Sequence, residues 1–118
     1  MKRYEELVVW QKAMLLAKRV HCVQKQLPKE EIYGLGDQIR RTVVSIPSNI
    51  AEGFGRDTDK EFKHFLPIAH GSLFETKTQL QLAESLVFFL TIDSEVEALF
   101  NEIGKLLNGL SRSLTTND

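Results

Sequence analysis

Cysteine is almost missing from this chain: Cys22 stands alone among 118 residues. One thiol excludes an internal disulfide framework and a thiolate-rich zinc site. Because Cys22 lies between Val20 and Val23 in an apolar helical segment, it is expected to be a buried, inert thiol. An excess of charge of one sign is also lacking: 15 Lys and Arg stand against 16 Asp and Glu, for a formal net charge of −1. Long hydrophobic runs are lacking, since Lys, Glu or Gln breaks each of them well short of the ~20 residues a membrane span needs. No apolar leader follows the charged start. These absences predict a soluble, cytoplasmic protein with no membrane partner. Nucleophile and phosphate-binding signatures are absent as well: there is no Gly-x-Ser-x-Gly and no Gly-x-x-x-x-Gly-Lys.

What is present is helical periodicity. At 42% hydrophobic content, residues 1–118 are expected to form one domain with one core. Val9, Ala13, Leu16, Val20, Val23 and Leu27 alternate at four and three, a heptad seam. Trp10, Met14 and Ala17 widen it on one flank, and Pro28 ends the helix. Pro28 to Gly36 reads as a connection with Gly34 and Gly36 as turn residues, although Lys29 to Ile32 has the composition of a short helical turn.

The stretch from Gln38 to Arg56 carries Ile39, Val43, Ile46, Ile50 and Phe54 on one face. Pro47 inside it removes the bond to the Val43 carbonyl and predicts a kink, and Gly53-Phe54-Gly55 reads as the helix end. Thr58-Asp59-Lys60-Glu61 is a capping box opening a long helix. Its seam is Phe62, Leu66, Ala69, Leu73, Thr76, Leu80, Ala83, Val87 and Leu90, about 45 Å at 1.5 Å per residue. Pro67 within it again predicts a kink. Ser94-Glu95-Val96-Glu97 is a second capping box, and the seam there is Ile92, Val96, Leu99, Ile103, Leu106 and Leu110 with Phe100 and Leu107 alongside. Helices are therefore expected at about 5–27, 35–54, 58–90 and 94–113. The predicted fold class is all-α: an up-down-up-down, left-handed four-helix bundle.

Ser45-Ile-Pro-Ser-Asn-Ile-Ala-Glu-Gly53, after Arg40-Arg41, closely resembles the signature of the small four-helix-bundle proteins first noticed in intervening sequences of bacterial 23S ribosomal RNA genes. Val9-Trp10-Gln11-Lys12-Ala13, Tyr33-Gly34-Leu35, Gln38-Ile39, Glu61-Phe62 with Phe65-Leu66, and Ile68-Ala69 with Gly71-Ser72-Leu73 resemble that family in the same order. The resemblance spans about residues 4 to 90. It implies a bundle assembling with itself, usually as a five-membered ring, with no established biochemical activity. Lys77 departs from it, standing where an acidic residue is usual, as does Thr76 where Leu is usual. A more distant likeness is to the pentameric accessory proteins of diversity-generating retroelements.

A four-helix bundle raises the question of a di-iron centre, which draws on two Glu-x-x-His motifs. Only Glu61 and His64 have that spacing here, and His21 and His70 lack a glutamate three residues earlier. No metal, cofactor or catalytic residue is therefore expected, and the chain reads as a non-enzyme. Two polar groups remain as candidates. Arg40, Arg41, Ser45, Ser48, Asn49, Glu52 and Arg56 lie on adjoining helical rows and suit either subunit contacts or phosphate and base edges. Residues 1–29 carry seven basic side chains against Glu5 and Glu6, with Lys12, Lys18, Arg19 and Lys25 off the seam. That basic face predicts either structured RNA as a partner or pairing with Asp93, Glu95, Glu97 and Glu102 on the last helix. Two classes are thus open: an oligomeric assembly protein, or a nucleic-acid-binding one.

Overall fold

The structure is a computed structural model that describes residues 3–86 and 91–114. Among the described residues there are four long helices and no strand: α1 (Val8–Gln24), α2 (Asp37–Phe54), α3 (Asp59–Leu86) and α4 (Ser94–Ser113). α1 packs against α2 and α4, and α3 packs against the same two. The heptad seams meet in the middle. Leu16, Val20, Ile39, Ile46, Ile50, Leu66, Leu80 and Ile103 are buried to within 1% of full enclosure. Together with their neighbours they form one continuous core. Val87 and Leu90 lie outside the described residues.

Several local expectations are corrected. The segment before α2 is helical throughout: Lys29–Glu31 makes one α-turn and Ile32–Gly36 a π-turn that runs into Asp37. Neither Gly34 nor Gly36 adopts positive φ, so both glycines serve a widened helical turn where a reversing loop was expected. α1 itself stops at Gln24, three residues before Leu27, and Lys25 and Gln26 close it with amide bonds to the Cys22 and Val23 carbonyls. In α4 the seam shifts: Phe100 and Leu107 are buried, whereas Leu106 and Leu110 are only partly so. A straight helix turns 3.6 residues per turn and drifts off a strict seven-residue repeat, which carries the inner face from Ile103 to Leu107.

The caps are partly as predicted. The Glu61 amide donates to the Thr58 hydroxyl at 3.1 Å, the first half of the expected box. At α4 the cap is Asp93, whose carboxylate accepts from the Val96 amide at 2.9 Å, one residue before the predicted Ser94. A carboxylate here also faces the positive end of the helix dipole. Asp93→Ala is expected to lower stability by about 1 kcal/mol, read as a lower urea midpoint at unchanged slope. Ser94→Ala, which removes no cap, should leave the midpoint in place.

Thr76 is fully enclosed on the α3 seam, and its hydroxyl donates to the Ser72 carbonyl at 2.8 Å. The departure from Leu is therefore accommodated by a back-bond within the helix. Lys77 finds an acidic neighbour across the α3–α4 contact, Glu97 at 3.9 Å. No helix among the described residues is long and apolar enough to cross a membrane.

Candidate interaction site

The polar row of α2 is turned largely onto its own helix. Pro47 lacks an amide hydrogen, so the Val43 carbonyl loses its helical donor. Side chains of the row bond other carbonyls of the helix. The Thr42 hydroxyl donates to the Gln38 carbonyl at 2.8 Å, Ser45 to Thr42 at 2.6 Å, and the Asn49 amide to Ser45 at 2.7 Å. The helix continues through Pro47, which is itself buried. Ser45 and Asn49 are thus engaged in holding their own helix.

The charged members of the row are also engaged locally. The Arg40 guanidinium donates to the Asp37 carboxylate one turn back. Arg56 donates to Glu52 at 3.0 Å, and its guanidinium carbon lies 4.9 Å from the centre of the Phe65 ring. Arg41 and Ser48 remain exposed. Of the seven residues on this row, Arg41 is the cation with no ion pair among the described residues.

The basic face of α1 divides in the same way. Lys12 pairs with Glu102 at 3.1 Å and Arg19 with Glu95 at 2.7 Å, so two of its four cations meet the acidic last helix, as the pairing alternative predicted. These are exposed pairs, worth at most about 1 kcal/mol each. Lys18 and Lys25 make no ion pair among the described residues. At the start of the chain Arg3 donates to Glu5 at 2.9 Å. That hydrogen bond holds the Glu5 carboxyl below its ordinary range and raises Arg3.

Cys22 is exposed, against the expectation of a buried thiol. The physical reason is register: Val20 and Val23 point to the core and place Cys22 about 100° away per residue, toward solvent. It lies on the rim of an apolar groove of about 660 Å³ between α1 and α2, lined by Trp10, Met14 and Ala17 on one wall and Val44, Pro47 and Ala51 on the other. Tyr4 closes one end, its ring edge-on to Trp10 at 5.2 Å. Lys18 and Ser48 also reach it. Sequence reasoning took Trp10, Met14 and Ala17 as a wider core flank. The structure leaves them half-buried because α2 offers them Val44 and small residues in place of a covering side chain. The available signal was Val44, an apolar residue off the α2 seam.

His64 and Glu61 are both exposed. Among the described residues no group of three His, Cys, Asp or Glu side chains is placed to hold a metal ion.

Compared with known proteins, residues 5–109 match the family model described as 23S rRNA-intervening sequence protein. No curated protein matches the chain.

Proposed function

We propose that this chain, which belongs to the 23S rRNA-intervening sequence protein family, acts by assembling with copies of itself as a non-enzymatic, homo-oligomeric protein of the cytoplasm. The bundle would be up-down-up-down and left-handed, and the assembly a ring, five-membered as the family resemblance implies. The observation that carries this reading is the amount of large apolar surface left uncovered. The α1–α2 groove is open, and Val44, Phe74, Leu82 and Leu86 are all about half exposed or more. Contiguous uncovered apolar surface marks an interaction site more often than it marks an ordinary monomer surface.

The second reading is binding of structured RNA through a basic surface. It is favoured by one observation: on the two candidate faces Arg41, Lys18 and Lys25 are cations with no ion pair among the described residues. Lys12, Arg19, Arg40 and Arg56 on the same faces already have carboxylate partners. Five copies in a ring would multiply what remains.

Light scattering on the purified chain at micromolar concentration separates the first reading from a monomer, for which the mass would be 13.5 kDa. A multiple of that mass is expected. Titration with structured RNA at two salt concentrations tests the second reading. Binding whose logarithm falls by about 0.7 to 0.9 per neutralised phosphate for each log unit of salt, and which weakens in Arg41→Ala at unchanged assembly mass, would make RNA the partner. No binding at low salt would leave self-assembly as the function of these faces.

A further inference from the structure

α3 carries two apolar rows on opposite sides. One is the buried seam through Phe62, Leu66, Ala69, Leu73, Leu80 and Ala83. The other is outward: Ile68, Leu82 and Leu86 are 44%, 48% and 59% exposed, whereas Phe74 stacks on His70 at 5.1 Å and turns to the α3–α4 side beside Phe100 and Gly104. At 100° per residue these three, with Gly71 and Thr78 between them, occupy the side of the helix away from the core. The Thr78 hydroxyl is turned onto the Phe74 carbonyl at 2.9 Å, which satisfies its polar atom within the helix. A Cβ built at Gly71 meets nothing within 4 Å, so this face of the helix is open there.

The α1–α2 groove is the concave counterpart. It lies on a different side of the molecule, because α1 and α3 sit across from each other, each between α2 and α4. The charges are opposite. Lys18 stands at the groove and Glu75 beside the outward row of α3, and neither makes an ion pair among the described residues. A convex row and a concave groove are each complementary to the other and neither to itself. Two copies joined through them are therefore related head to tail, a heterologous contact that must close into a ring to give a finite assembly.

We infer that the outward row of α3 in one copy seats in the α1–α2 groove of the next, with Glu75 facing Lys18. This rests on the self-assembly reading above and names its two surfaces. Lys18 and the groove are thereby assigned to subunit contact, which leaves Arg41 and Lys25 as the uncommitted cations of the two candidate faces.

The test uses Val44→Glu, which blocks the groove, and Leu82→Glu, which blocks the row. Both positions are about half exposed, so each variant should keep the helical circular dichroism of the parent. By light scattering the parent is expected to be a discrete oligomer and each variant alone a monomer. An equimolar mixture is expected to give a one-to-one dimer and nothing larger, since it contains one intact groove and one intact row. Lys18→Glu should weaken the assembly at low salt, and adding Glu75→Lys should restore it. A monomeric parent overturns the assembly reading and this inference together. An oligomeric parent whose variants keep full mass, or whose mixed variants stay monomeric, overturns this inference alone.

Discussion

Ile46→Ala is expected to lower the unfolding free energy by about 2–5 kcal/mol, the range for truncating a fully enclosed aliphatic side chain. Ile46 is 0% exposed and sits on the α2 seam beside Ile39, Val43 and Ile50, all at or below 1%. Two contributions add: the lost transfer of the removed carbons from water, and the cavity left where the neighbours cannot follow. The site has little room to relax. Pro47 follows immediately with fixed φ, and the preceding turn is pinned by the Ser45 and Thr42 hydroxyl bonds. Alanine's better helix propensity recovers only a few tenths of a kcal/mol. Urea unfolding at one fixed protein concentration is the measurement, because self-association would otherwise make the midpoint concentration-dependent. Tyr33→Ala, at a position 82% exposed, should stay within about 0.5 kcal/mol. A loss at Ile46 no larger than that would contradict the packing described for α2.

Gly53→Ala is expected to be destabilising by about 1–3 kcal/mol through overpacking, even though alanine is the better helix former by about 1 kcal/mol. A Cβ at residue 53 would lie 2.7 Å from the Phe65 Cβ, 2.9 Å from the Phe62 Cδ1 and 3.3 Å from the Phe62 carbonyl oxygen. The Phe65 Cβ is fixed to the α3 backbone and cannot swing aside, so α2 and α3 must part at the point where Phe54 and Phe62 meet edge to face at 5.9 Å. The glycine therefore marks a close helix crossing. This role adds to the one expected for the Gly53-Phe54-Gly55 run, which does end the helix: α2 stops at Phe54 and is closed by the Gly55 amide on the Ala51 carbonyl, with Gly55 itself in right-handed helical geometry. A stabilised Gly53→Ala would mean that α2 and α3 lie further apart here than described.

The two positions illustrate what a linear pattern reveals. Ile46 was legible because its burial follows from spacing, and the seams of α1, α2 and α3 were found the same way. The helix end at Gly53-Phe54-Gly55 was legible too, but the close crossing at Gly53 was not, because only the neighbouring helix shows it. The same limit applied to the candidate site. The polar row of α2 was visible as residues, but Arg40, Arg56, Ser45 and Asn49 find partners on α2 itself, which spacing permits without requiring. The groove was missed because half-burial of Trp10 and Met14 depends on what α2 presents to them.

The sequence by itself determined the all-helical class, one apolar seam on each helix and the family, because helical period and motif are properties of residues near in the chain. Tertiary structure alone decided that Lys12 and Arg19 are spent on Glu102 and Glu95, where α2 and α3 touch closely enough to need Gly53, and which apolar side chains stay uncovered. Each of those depends on distances between residues far apart in sequence, set by how the four helices pack together.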